Sequence, residues 1–182
     1  MVEDITGEFF KANLMNFALG GTFNSRINLN LREDKGYTYG ARSRFWGDKT
    51  SGGFTASAAV RADSTAASIT EFTNELNNYA QNGVTDEELM FMRKAINQKD
   101  ALKYETPNAK LGFLAQILEF DLKPSFVKER NEIVSNISKE EVNALAKKHL
   151  NTKEMVYLVV GDAKTLRPEL EKLGMQVIDY SL

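Results

Sequence analysis

The sequence predicts an α+β fold, a mostly antiparallel sheet with helices packed on one face. Three observations carry that expectation. Two stretches of strict alternation, near 38–46 and 54–61, flank a glycine-rich turn; helical periodicity then fills most of 63–150; and an apolar, strand-like run returns at 155–160. Strands split by a block of helices form one layer with the helices beside it.

Over residues 4–19, Phe9, Phe10, Leu14, Phe17 and Ala18 recur at three- and four-residue steps, the mark of an amphipathic helix. Gly20-Gly21 breaks it, since backbone without Cβ favours a sharp break. Thr22 is placed to cap a second helix in which Phe23, Ile27 and Leu31 fall on one core-facing stripe. That helix ends near Lys35-Gly36 with Arg32 in its last turn, and alternation takes over at Tyr39. On the first strand Tyr39, Ala41, Ser43 and Phe45 share one face, with Gly40, Arg42, Arg44 and Trp46 on the other. The second repeats this, Phe54, Ala56, Ala58 and Val60 against Thr55, Ser57, Ala59 and Arg61, so the pair should form an antiparallel hairpin. Its apolar face takes helices. Its polar, arginine-bearing face either lines a chamber or is an ordinary solvated sheet face.

Asp63-Ser64-Thr65 offers caps for a helix to about Gln81, ended by Asn82-Gly83. Thr85-x-x-Glu88 is a capping box for a helix running through Leu89, Met92 and Ile96 towards Tyr104. Glu105-Thr106-Pro107 marks a boundary with proline in the first helical position, before a helix through Leu111, Leu114, Ile117 and Leu118. Lys123-Pro124 and a second box, Ser138-x-x-Glu141, punctuate further helices. The run 155–160 suits a buried central strand, and a short helix, 164–173, and a final strand, 177–180, complete the order.

A chain of 182 residues fits one domain over 1–182 with a real core. With 23 basic and 25 acidic residues there is no basic field to hold nucleic acid, and no stretch approaches the ~20 apolar residues of a membrane helix. The absence of cysteine excludes disulfides, thiolate metal sites and a cysteine nucleophile, and is compatible with either redox compartment; a periplasmic setting is preferred to a cytoplasmic one. The start, MVEDITGEFF, lacks the basic n-region of a secretory signal. Nothing resembles a nucleophile elbow, and the glycine pair, without a P-loop lysine or a preceding strand, reads as a packing turn and not a phosphate site.

The ordered set Leu19-Gly20-Gly21, Asn24-Ser25-Arg26, Leu31-Arg32-Glu33, Lys35-Gly36-Tyr37 and Tyr39-Gly40 resembles the C-terminal, non-catalytic domain of the insulinase/pitrilysin family of zinc metallopeptidases, which includes the mitochondrial processing peptidase. The resemblance runs to about Asp162. It implies that Arg32 and Tyr39, seven positions apart, hold the substrate backbone near a zinc carried by a partner domain, on the same longer chain or on a separate subunit. The family's zinc site needs a helical His-x-x-Glu-His, and this sequence has one histidine, His149, placed to complement the C-terminal end of a helix. No catalytic or metal residue is therefore expected here, and zinc belongs to the partner. Without the resemblance, Arg32 would read as an exposed helix-end arginine paired with Glu33 or Asp34.

The resemblance implies the substrate-binding half of a zinc endopeptidase. The alternatives are a scaffold subunit of the same fold and an unrelated α+β peptide-binding module. Domains of this family open with strands before the helix that ends in LGG, so the chain is expected to begin partway through its domain and, with an open sheet edge, to self-associate.

Overall fold

A computed structural model of the protein describes residues 3–100 and 106–180. In order come α1 (Glu8–Asn16), α2 (Arg26–Asn28), β1 (Thr38–Gly47), β2 (Gly52–Val60), α3 (Thr65–Asn82), α4 (Asp86–Asp100), α5 (Pro107–Phe120), α6 (Phe126–Asn136), α7 (Lys139–His149) and α8 (Ala163–Glu171). The expected run of α4 to Tyr104, and Glu105 at the next boundary, lie outside the described residues.

The α+β class holds, around a two-stranded antiparallel sheet. Ala41 pairs with Ala58, Ser43 with Ala56 and Phe45 with Phe54 on the covered face; Arg42 pairs with Ser57, Arg44 with Thr55 and Trp46 with Gly53 on the open one. Phe10, Leu14, Met15, Leu19, Ile27, Leu31, Leu76 and Tyr79 fill the space between α1, α2, α3 and the covered face. The hairpin turn is held by Asp48, whose Oδ1 accepts from Thr50 N at 2.7 Å and Ser51 N at 2.8 Å. Bonds from the backbone and hydroxyl of Thr50, then from Ser51, hold its carboxyl down to about 2.

Several caps form as expected. Thr85 and Glu88 exchange both bonds of their box, Thr85 N donating to Glu88 Oε2 and Glu88 N to Thr85 Oγ1. Thr106 caps α5 through Ala109 N with Pro107 behind it. Ser138 accepts from Glu141 N, while the Glu141 carboxylate turns to Lys11 of α1. Ser64 makes no cap bond to α3; its hydroxyl donates to Asp63 instead.

Three expectations need correction. First, the helix does not stop short of Gly20-Gly21 but runs through the pair and breaks just after it, at the extended Thr22. The chain widens into a π-type turn over Phe17–Gly21, and Gly20 is required because of what lies beside it. A Cβ there would collide with the Ser43 hydroxyl and stand 2.6 Å from Ser43 N, so α1 lies directly on β1, bolted by Asn16 Nδ2 donating to Ser43 O at 2.8 Å and the Ser43 hydroxyl donating to Asn16 Oδ1. Second, the next helix does not start at Thr22. Thr22 opens a turn, its hydroxyl accepting from Asn24 N, and α2 begins at Arg26 before widening over Leu29–Asp34. Ile27 and Leu31 keep their core stripe, but Phe23 falls in the turn and is exposed.

Third, 155–160 and 177–180 form no strand and join no sheet among the described residues. Met155 and Val159 pack inward, against the main core and against Ile69, Leu166 and Leu170, whereas Val156 is 94% exposed and Val160 91%. The apolar run reads as a buried strand only if a strand lies beside it, and among the described residues none does. Leu111, Leu114 and Leu118 of α5 likewise face solvent instead of core.

Candidate functional site

The junction between α2 and β1 is built by Asn28. Buried one residue after Ile27, it accepts from Ala41 N at 2.9 Å through Oδ1 and donates to Phe23 O at 2.7 Å through Nδ2. One side chain thus ties the turn before the helix to the strand after it. Asn30, two residues on, donates to Glu71 and Glu75 of α3 and fixes the same turn from behind. Gly36, at φ +63°, then lets the chain reverse into β1, a conformation costly for a residue with Cβ. Tyr37 N closes on Leu31 O at 2.9 Å.

Arg32 stands one helical turn after Asn28. Its guanidinium lies 4.5 Å over the Phe23 ring, and Nη1 donates to Glu33 Oε1 at 2.7 Å. Phe23, expected on the core stripe, is instead exposed and gives the Arg32 guanidinium a ring to rest on. The remaining guanidinium N–H groups have no hydrogen-bond partner among the described residues.

Alternation placed Tyr39 on the covered face with Phe45. The structure turns it outward, 99% exposed. The cause is a β-bulge: Thr38 pairs with Val60 but Ala41 with Ala58, so Tyr39 and Gly40 together oppose Ala59. The Thr38 hydroxyl locks it, lying 2.7 Å from Ala59 O and accepting from Gly40 N at 3.1 Å. Arg32 and Tyr39 make no hydrogen bond with each other. Both sit outside the hydrophobic interior, and Asn28 anchors the segment that carries each.

The same junction is clamped to the helical layer by Arg26. Its Nε and Nη2 form a two-pronged pair with Glu88, both at 2.6 Å, Nη2 also donates to Gly83 O, and the guanidinium lies 4.8 Å from the Tyr79 ring centroid. Burial pushes the Glu88 carboxyl up, but the bonds from Arg26 and Thr85 together outweigh it and hold the group below the ordinary glutamate range.

The lone histidine has a structural partner. His149 Nε2 meets Glu8 Oε1 at 2.9 Å, Lys148 occupies the same carboxylate, and the imidazole edge rests on Phe45. Among the described residues no three His, Asp or Glu side chains gather to hold a metal, and one imidazole on one carboxylate is too few donors for zinc.

Residues 4–96, just over half of the chain, match the family model described as "Peptidase M16 inactive domain". The chain belongs to the peptidase M16 inactive domain family. The solved M16 inactive domain from Pseudomonas fluorescens superposes with a TM-score of 0.73 at 25% identity, over 82% of this chain and 36% of that one. A protease from Helicobacter pylori shares the fold with a TM-score of 0.69 at 14% identity, over 82% of this chain and 36% of that one. A curated relative, the "Non-peptidase homolog YmxG" of Helicobacter pylori, is 21% identical over 163 residues, 90% of this chain and 38% of its own length. The chain thus spans little more than a third of the length of these relatives. It is a non-catalytic M16-type domain, in agreement with the resemblance seen in the sequence.

Proposed function

We propose that this M16 inactive domain is the substrate-binding half of a zinc metalloendopeptidase, holding peptides in a chamber shared with a zinc-bearing partner domain. The observation that supports this most is the bulge at Tyr39-Gly40. A locked irregularity that exposes a tyrosine which regular pairing would bury costs ladder hydrogen bonds, and it makes sense where the phenol has something to meet. On the helix side of the same junction, the free N–H groups of Arg32 can donate to a peptide carbonyl, and the Tyr39 hydroxyl can add one more bond. Water activation and the metal belong to the partner; this chain binds and orients.

The apolar side chains left outside, Leu118 of α5 and Val156 and Val160 in the unpaired run, suit contact with that partner domain, and without it are where copies of the chain would meet. A second reading, a scaffold subunit without substrate handling, draws on the relative described as a non-peptidase homologue.

The test is reconstitution. The isolated chain should cleave no peptide and carry no stoichiometric zinc by metal analysis, and its cognate zinc-bearing half, weak alone, should gain peptide turnover on mixing. One tightly bound zinc per isolated chain, or no gain on mixing, would count against the reading.

A further inference from the structure

The open face of the hairpin carries two cations that nothing in the described protein neutralises. Arg42 and Arg44 point away from the helices, opposite Ser57 and Thr55, and neither has an acidic partner among the described residues. The arginines around them are paired: Arg32 with Glu33, Arg61 with Asp63. The nearest acid along the strand, Asp48, is already engaged by Thr50 and Ser51 in the turn. What sets the two apart is their placement, side by side at alternate positions of one strand face. Aromatic rings bracket the pair, Tyr39 at the bulge and Trp46, whose indole lies across Gly53; a Cβ on Gly53 would stand 3.2 Å from it.

We infer that this face selects acidic peptide segments, binding an extended chain whose Asp or Glu side chains two residues apart pair with Arg42 and Arg44. The spacing carries the argument. Residues two apart on a strand lie about 7 Å apart on one face, and an extended peptide laid alongside repeats its own side chains at the same interval. Guanidinium groups take carboxylates in two-pronged geometry, while Ser57 and Thr55 offer hydroxyls to the peptide backbone. The inference rests on the peptide-binding reading and adds to it the class of substrate.

The test is fluorescence anisotropy of the full chain with labelled peptides of one length, carrying Asp-x-Asp, Asn-x-Asn or Lys-x-Lys, and with a single-stranded oligonucleotide. The Asp peptide should bind about tenfold more tightly than the Asn peptide, as two partly exposed ion pairs allow, and the margin should shrink with salt. Arg42→Gln with Arg44→Gln should abolish the preference and leave the Asn peptide unchanged; Arg42→Lys with Arg44→Lys should keep part of it. Equal binding of Asp and Asn peptides would overturn the inference while leaving the peptide-binding reading standing. An oligonucleotide held through the same arginines more tightly than the Asp peptide would overturn it in favour of nucleic acid. No binding of any peptide would overturn both. An acidic preference that depends on Arg42 and Arg44, in a domain whose partner gains nothing on mixing, would uphold this inference and sink the proposed function.

Discussion

Gly20→Ala should lower the melting temperature by roughly 10 °C, a loss of about 3 kcal/mol in a domain of this size. The added methyl has nowhere to go. It meets the Ser43 hydroxyl and the Ser43 backbone N, both fixed by the strand, and any retreat of α1 breaks the buried bonds between Asn16 and Ser43. Two costs therefore add, overpacking and unsatisfied polar groups. Gly112, with open space around its would-be Cβ, is the matched control, and Gly112→Ala should be neutral or slightly stabilising because α5 gains a better helix former. Thermal unfolding followed by circular dichroism reads both. An equal, small effect at the two sites would mean that α1 does not rest on β1 as described.

Arg26→Ala should cost a similar amount, about 3 kcal/mol, for a different reason. It leaves the part-buried Glu88 carboxylate with only the bond from Thr85 N, and removes the bond to Gly83 O and the ring contact with Tyr79. The loss should depend on pH. The Glu88 pKa is depressed in the folded state, so its contribution is complete above the ordinary glutamate value of about 4.3 and disappears as pH falls through the lower folded value. Urea unfolding at about pH 7 and about pH 3 should show the gap between wild type and Arg26→Ala narrowing at the acid end. A gap independent of pH would assign the effect to packing and not to the ion pair.

What could be read in advance follows the range of the interaction. Caps and alternation set by neighbours in sequence were legible: both bonds of the Thr85-Glu88 box, Thr106-Pro107 opening α5, and the two faces of the hairpin from Ala41 to Trp46. Features set by a distant partner were not. Tyr39 reverses face because one extra residue enters β1, and a period of two cannot register such an insertion without the opposing strand. Phe23 fits a helical stripe on spacing alone, yet Thr22 turns the chain before the helix starts. Residues 155–160 have the composition of a buried strand, but burial needs a neighbour. Asn28 was overlooked altogether; the available signal was a polar side chain beside Ile27 and Leu31, where a helix packed on both flanks leaves little solvent.

The central claim is that one helix-to-strand junction presents Arg32 and Tyr39 to a peptide. Peptide turnover by the reconstituted pair, with Arg32→Ala and Tyr39→Phe introduced separately, measures it most directly. Each should lower turnover, Arg32→Ala by about tenfold as expected for one charge-assisted hydrogen bond and Tyr39→Phe by less, with the thermal stability of the domain unchanged. Turnover that stays at the wild-type level in both variants would contradict the claim and leave a scaffold in its place.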